Sequence, residues 1–556
     1  MPLSYSYPGI YIQELPLSTH TITPAPTSIT AFVGYTHPWK TAAFNTAVQL
    51  FSFSDYEANF GGLYTSGYVD SDVAQAVYAF FLNGGNNAYV VGLQPEALVS
   101  GVSAGQFGSA ADDFAFQAKI VPDSGSPSVG MQFYALEPCD IVPMTATITN
   151  LRNSTGVTPA VYDTFDLIIT YGARIEVYRS VNLTLAEGTA KSLDKLINNI
   201  STLVTVEPIT GTSYGTAFPY VSPAPPTPPL PVNFTPGTVV TYPTLPSPIP
   251  AGFTGSFSPA DFTPIFQANS SLDNVQIFNL LLVPGVSDDT VLSAALAFAE
   301  RKRAFAILDP RPQATAFQIP GSVLPPIESL VGSIPTSQNG AVYFPYLKTT
   351  DPISTLPTSV APSGFVAGIF ATTDSTRGVW KAPAGMATVL VGTTGPVATG
   401  VMNDMQQGVL NSPISPTTPV NCLRTFGSST VVYGARTLVG TNTAFAQSKY
   451  VPVRRMTLFI EQTLVSNLTW VVFEPNDEPL WIAICMTIEA FLLSLFNQGA
   501  LQGSTPSQAF QVKCDSTTTS AADQQNGVVN IVIGVALLKP AEFVVITISQ
   551  LAGQTS

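Results

Sequence analysis

Apolar positions along this chain fall into runs of two periods. Met456, Phe459, Ile460, Leu464 and Leu468 recur at helical spacing and predict a helix from Arg454 to Leu468. Trp470 to Phe473 reads as a short β-rich run, ended by Glu474-Pro475-Asn476. Asp477 is placed to cap a second helix, with Pro479 in its first turn and Gly499 just past its end. Between Leu480 and Phe496 only Thr487, Glu489 and Ser494 are polar. A helix apolar nearly all round is either buried or membrane-spanning. Glu489 near its middle and the lack of a flanking basic cluster predict a buried core helix with no membrane insertion. Ala483, Thr487, Ala490, Ser494 and Asn497 form a small, polar stripe, which fits core packing against a sheet or the close approach of another backbone. Three strands are expected after it, at Ala509–Asp515, Val528–Leu538 and Phe543–Ser549. The second is apolar enough to be covered on both faces. The last needs a partner for its backbone groups, and another subunit is one source.

The chain from its start is less uniform. Pro8-Gly9-Ile10-Tyr11-Ile12-Gln13-Glu14 is a β-type run before a loose segment with three prolines, either an arm or an edge strand of its own domain. Ile29 to Tyr35 and Ala88 to Leu93 read as strands. Ser54 is expected to cap a short helix ended by Gly61-Gly62, and Asp70 to Leu82 an amphipathic helix stopped by Asn83-Gly84-Gly85. No Gly-x-x-x-x-Gly-Lys follows, so these glycines are helix C-caps rather than a phosphate loop. From Gln94 to Ala268 Ser, Thr, Gly and Pro are frequent and short β runs appear, with a proline tract from Ala217 to Phe253. This reads as an inserted β-rich domain with a stiff spacer. Gln276–Val283, a helix Val291–Arg303 capped at Ser287-Asp288, and Phe305–Leu308 form a βαβ-like unit without a glycine-rich turn after its first strand.

Together these elements predict an α+β fold with an α/β core, in six segments. They are an N-terminal arm (1–28), a first core part (29–95), the inserted β-rich domain with its proline-rich linker (96–268), a middle α/β part (269–418), a C-terminal domain (419–540) and a C-terminal arm (541–556).

Composition narrows the function. Charged residues make up 10% of the 556 residues and hydrophobic ones 45%, with a mean hydropathy of +0.28. A surface so poor in charge fits a chain largely covered by copies of itself. The net charge of −14, with no basic block, argues against nucleic-acid contact through phosphate neutralisation. Met1-Pro2-Leu3-Ser4-Tyr5 lacks the features of a signal peptide, so assembly in the bacterial cytoplasm is expected. Cys139, Cys422, Cys485 and Cys514 are scattered and read as reduced thiols. Gly211-Thr212-Ser213-Tyr214-Gly215 matches a nucleophile elbow in letters, but both histidines, His20 and His37, precede it and its surroundings are proline-rich. No catalytic, cofactor-binding or metal-binding set is expected, and no enzyme.

Several blocks share a further property. They are Val420-Asn421-Cys422-Leu423-Arg424, Tyr433-Gly434-Ala435-Arg436, Tyr450-Val451-Pro452-Val453-Arg454-Arg455 and Trp470 to Asp477, and then Gln498 to Gly503, Ala509 to Asp515 and Lys539 to Val545. In order and spacing they resemble the C-terminal domain of contractile tail sheath proteins, the subunits that shorten around the inner tube of phage tails, bacteriocins and related injection systems. Arg377, Gly378, Trp380, Lys381 and Pro383, with Arg436, Arg454, Arg455, Glu474, Pro475 and Asn476, carry the signature. Phe60-Gly61-Gly62 and the Pro8 to Glu14 run are similar to the family's N-terminal region. The resemblance implies stacked rings, six-fold in the family, around an inner tube, capped by baseplate and terminal proteins. It implies arms that add strands to a neighbour's sheet, at Ile10, Tyr11, Ile12 and Glu14 and at Phe543, Val545, Ile546 and Ile548. It places tube contact on the C-terminal helix, where Thr487, Glu489, Ser494 and Asn497 are the candidates. One polypeptide of this length differs from the two-protein sheath of type VI secretion. A β-rich surface-layer or adhesin subunit is the alternative, and it predicts flat sheets or fibres.

Overall fold

The computed structural model describes residues between 21 and 546, with its longer breaks at 94–116, 121–130, 153–160, 183–192, 208–219, 222–231, 234–257 and 312–330. Ile10, Tyr11, Ile12, Glu14, Ile548, Cys139, the Gly211–Gly215 motif and most of the proline tract lie outside the described residues. The chain divides into two compact units. The larger comprises Thr27–Thr376 and Pro383–Val451, and the smaller Met1–Pro26, Arg377–Ala382 and Pro452–Ser556.

The larger unit is built on one eight-stranded sheet. Its strands are β1 (Thr30–Tyr35), β2 (Ala47–Leu50), β3 (Ala88–Leu93), β4 (Leu280–Leu282), β5 (Phe305–Leu308), β6 (Gly340–Phe344), β7 (Val420–Phe426) and β8 (Ser429–Val432). The order is β2-β3-β1-β4-β5-β6-β7-β8, parallel within and antiparallel only where β2 and β8 close the edges. The near-continuous apolar strands follow from burial on both faces: β4 and β5 are buried at every position. On one side lies a core that includes Phe262, Phe298, Val291 and Leu308. α1 (Phe53–Phe60), α2 (Val73–Leu82), α3 (Asp289–Arg301) and α4 (Ser363–Arg377) are the main helices of the sequence between β1 and β7. Asp288 caps α3 by accepting from Thr290 and Val291 N–H. α1 is capped by Ser52 rather than Ser54, because Ser52 Oγ accepts from Asp55 N–H at 3.1 Å and the helix begins one residue before Ser54. Gly61 follows α1 at φ +80°, as a left-handed C-cap requires.

The β-rich insertion belongs to this unit and carries its own core of Phe133, Met144, Leu167, Ile169 and Tyr171. Its principal sheet pairs Met144–Arg152, Thr164–Tyr171 and Arg174–Asn182 in antiparallel order. A buried carboxylate ties it to the segment after β1. Glu137, 1% exposed, accepts from His37 Nε2 at 3.0 Å, from Lys40 Nζ at 2.6 Å and from Arg174 Nη1 at 2.8 Å. His37 Nδ1 accepts the Lys40 main-chain N–H at 3.2 Å, so the ring is neutral and donates through Nε2. Burial pushes the imidazole below its ordinary 6.5. Burial by itself would raise the Glu137 carboxyl; the imidazole hydrogen bond and the Lys40 charge overcome it and hold the group well below 4.5. A carboxylate whose folded value is depressed stabilises above its unfolded value, and the effect fades as pH falls through the folded one. Glu137→Gln is therefore expected to cost about 2 kcal/mol at neutral pH, and the gap to the wild type should shrink as pH drops below 4.5. Chemical denaturation at pH 7 and pH 3 checks this; an unchanged gap means that Glu137 is not the charged partner.

A second buried carboxylate, Asp309, follows β5. It accepts from Gly285 N–H at 3.0 Å, Ser363 N–H at 2.8 Å and Ser363 Oγ at 2.7 Å. Parallel sheets bind ligands at this end of their strands. Here Asp309 and Ser363 are 1% and 0% exposed and satisfy each other, so the pair anchors the start of α4.

Candidate assembly interface

The smaller unit is organised by two long helices, α5 (Val451–Asn467) and α6 (Glu478–Asn497). Asp477 Oδ1 accepts from Glu478 N–H at 2.8 Å to cap α6, and Gly499 past its end has φ +74°. Trp470 to Phe473 is not a strand: Thr469–Val471 is a 3₁₀ turn within the ten-residue connection between the two helices, and no strand among the described residues pairs with it. One face of α6 is core. Leu480, Trp481, Ile484, Ile488, Phe491, Leu492 and Leu495 join Met456, Phe459 and Ile460 of α5.

The other face of α6 is not covered. Ile482 is 53% exposed, Met486 63% and Leu493 40%. The expected all-round burial is thus confined to one side; α6 is apolar and long enough to cross a membrane, yet only 39% of its apolar window is buried within the chain. Of the proposed tube-facing residues, Glu489, Ser494 and Asn497 lie on the exposed side. Thr487 is half-buried and bonds back to the Ala483 carbonyl at 2.7 Å.

The loop before α6 presents Val472 and Phe473 at 62% and 102% exposure. Phe473 has φ +73°, a conformation bulky side chains rarely adopt. Its base is rigid. Asn476 Oδ1 accepts from Trp481 Nε1 at 2.9 Å, Asn476 Nδ2 donates to the Val528 carbonyl at 3.1 Å, and Gln524 Nε2 donates to the Asn476 carbonyl at 2.6 Å. Glu474 and Pro475 are exposed beside Phe473, so within this signature block Asn476 does the structural part. Sequence reading passed over Phe473 because exposure and φ are not encoded in periodicity.

The C-terminal sheet of this unit has two strands among the described residues, Phe510–Lys513 and Val532–Val535, paired antiparallel. The second was expected to be covered on both faces, but Val532 is 57% exposed and Val528 42%, because among the described residues no third strand pairs with the sheet. Beyond the sheet, Phe543, Val544, Val545 and Ile546 are 73%, 79%, 88% and 78% exposed and belong to no strand. Four consecutive large apolar side chains in water are a liability unless another surface receives them.

The remaining signature residues hold the fold. Arg377, Gly378, Trp380 and Lys381 fall in the short segment that belongs to the smaller unit, where Val379 enters the core of α5 and α6 and Trp380 packs against it. Gly378 has φ +86°, and a Cβ there would stand 2.4 Å from the Trp380 ring. Lys381 Nζ donates to the Ala382 carbonyl at 2.7 Å; burial, then the Arg377 charge, lowers its pKa. Pro383 and Arg436 belong to the larger unit, where Arg436 N–H donates to Asn421 Oδ1 at 2.7 Å and its Nη1 to the Asn411 carbonyl at 2.7 Å. Arg454 and Arg455 are 9% and 3% exposed on α5, with Arg454 Nη1 3.7 Å from Glu461 Oε1. Cys422, Cys485 and Cys514 are free thiols. Among the described residues no His, Cys, Asp and Glu group is placed to hold a metal ion.

The described chain thus comprises a smaller unit of long helices with a two-stranded sheet and a larger unit built on an eight-stranded α/β sheet. Residues 445–550 match the family model of the phage tail sheath C-terminal domain. The chain is similar over 99% of its length to the sheath of an extracellular contractile injection system, the PVC sheath complex in its contracted state. It covers 99% of that chain, with 18% identity and a TM-score of 0.53. It is likewise similar to the anti-feeding prophage helical sheath in the contracted state, with 20% identity, a TM-score of 0.52 and coverage of 98% and 100%. A third likeness is to a chain of the contracted anti-feeding prophage baseplate, with 20% identity, a TM-score of 0.53 and coverage of 98% and 99%. These matches run through the inserted domain as well as the core. No curated protein matches the chain by sequence.

Proposed function

We propose that this chain is a structural subunit of a contractile sheath, polymerising as stacked six-fold rings around an inner tube and shortening to drive that tube through a target envelope. The observation that carries it is the pairing of an open two-stranded sheet with the exposed Phe543–Ile546 segment in one unit. A strand donated by one copy completes the sheet of another, and main-chain hydrogen bonds hold the two together while the tether bends. Ile10, Tyr11 and Ile12 are the donors at the other terminus. The exposed face of α6, with Glu489, Ser494 and Asn497, and the Phe473 loop are the surfaces for the tube. The inserted domain faces outward as a decoration. Assembly takes place in the bacterial cytoplasm, with baseplate and terminal cap proteins closing the ends, and the role is mechanical rather than enzymatic.

Electron microscopy of the high-speed pellet from cells producing the native gene cluster tests this. Hollow, helically striated cylinders in long narrow and short wide forms, labelled by an antibody to this chain, are expected. Flat sheets or smooth fibres would overturn it in favour of a surface-layer subunit.

A further inference from the structure

The N-terminal segment is attached to the smaller unit by a peg and a clamp. Ile22, 9% exposed, is the peg: it sits in the core with Met456, Phe459 and Ile460 of α5. The clamp is Asn467, the last residue of α5. Its Oδ1 accepts the Thr23 N–H at 2.9 Å, and its Nδ2 donates to the Thr23 carbonyl at 2.8 Å. The same Nδ2 donates to the Thr463 carbonyl at 2.8 Å, which fixes the plane of the amide. Thr463, 0% exposed, then accepts the Ala25 N–H on its Oγ1 at 3.1 Å. Pro24 has no N–H to give, so every main-chain donor from residue 23 to 25 is bound by two side chains of one helix. A carboxamide donates and accepts side by side, and so offers Thr23 what a neighbouring strand would. Ala would offer neither group and Asp only the acceptor.

We propose that Asn467, with Thr463, is the anchor of the N-terminal arm, the fixed point from which residues 1–20 reach a neighbouring copy of this chain and against which that copy pulls during contraction. This rests on the sheath reading above. Within it, the anchor is a positioning device: the strand-forming Ile10, Tyr11 and Ile12 are set at most about 45 Å of extended chain from Thr23. The division between the two units falls at Pro26 and Thr27, so the anchor also marks where the chain leaves the smaller unit.

The test uses the full chain in its native gene cluster, with the wild type, Asn467→Ala, Thr463→Val, and Asn467→Gln as the conservative variant. Hydrogen exchange is read at the Thr23 and Ala25 amides, with the amides of α6 as the control for folding. In Asn467→Ala, exchange at Thr23 should rise on the order of tenfold or more while α6 is unchanged, and Asn467→Gln should recover part of the protection. Thr463→Val should free the Ala25 amide alone. In the same preparations, Asn467→Ala sheaths should assemble poorly or break on contraction. Unchanged exchange at Thr23, or freed exchange with sheath yield and contraction equal to the wild type, would overturn the anchor. If the wild type forms no cylinders, the sheath reading fails, and the role assigned to the anchor fails with it, whatever the exchange shows. Should Asn467→Ala fail to fold, Asn467→Asp, which keeps only the acceptor, gives the same readout.

Discussion

A subunit lacking its last fifteen residues should fold, remain soluble and fail to polymerise. Residues 543–546 contribute nothing to the subunit's own core: they are 73–88% exposed and belong to no strand. Among the described residues their removal takes no buried apolar side chain from either core, and the melting temperature should stay within a degree or two. What is lost is the donated strand. Each such strand in a ring lattice supplies main-chain hydrogen bonds to another copy, and the loss recurs at every subunit, so a modest local change becomes an all-or-none effect on assembly. Removal of residues 1–16 should give the same outcome, with the anchor at Thr23 untouched. Sedimentation and electron microscopy of both truncations decide the matter, and normal striated sheaths from either would sink the strand-donation model. Replacing Val545 and Ile546 by Asp is a milder version, which should leave the backbone donors in place and weaken assembly through the receiving face.

The largest expected effect on folding is at Gly364. This residue begins a Gly-x-x-x-Gly spacing on α4, where α4 meets α2 backbone to backbone. A Cβ at Gly364 would stand 2.4 Å from the Ala76 carbonyl oxygen and 2.5 Å from its Cα. At Gly368 it would meet the Phe80 carbonyl oxygen at 2.8 Å. Backbone cannot rotate aside as a side chain can, so Gly364→Leu must lift one helix off the other. α4 carries Phe370, whose ring packs near Phe305 of β5 and Tyr343 of β6, and the displacement therefore reaches the centre of the sheet. A loss of about 3 kcal/mol or more is expected by chemical denaturation. Gly408, helical with nothing near its missing Cβ, is the control: Gly408→Ala should be neutral or stabilise by up to about 1 kcal/mol. Equal effects at the two sites would remove the close-packing account.

Some of the fold was open to reading from local chemistry. β3 and β5 end where the apolar run ends, because flanking glycine, asparagine and proline stop a strand whatever surrounds it. The cap at Asp477 and the C-cap at Gly499 were legible for the same reason: one side chain or one φ angle decides each. The errors share a cause. Val528 to Leu538 and the Leu480 to Phe496 helix are apolar on all sides, and both were assigned full burial within the chain. Apolarity records that a face will be covered, but not by which molecule. Val532, Ile482 and Met486 are uncovered in the single chain.

By itself, then, the sequence determined most of the strands and helices of the core, such as β3, β5 and α6, though not the runs at Trp470–Phe473 and Phe543–Ser549, which form no strand among the described residues. Those depend on nearest neighbours along the chain and on hydrophobic period. Only the tertiary structure decided which apolar surfaces stay open, where the buried charges meet and how the arm is held. Glu137 finds His37 across 100 residues, and Asn467 finds Thr23 across 444. Such pairs are set by how the layers stack and where the sheet edges fall. Hydrogen-bond geometry at 3 Å is specified only after the tertiary packing has brought those residues within reach.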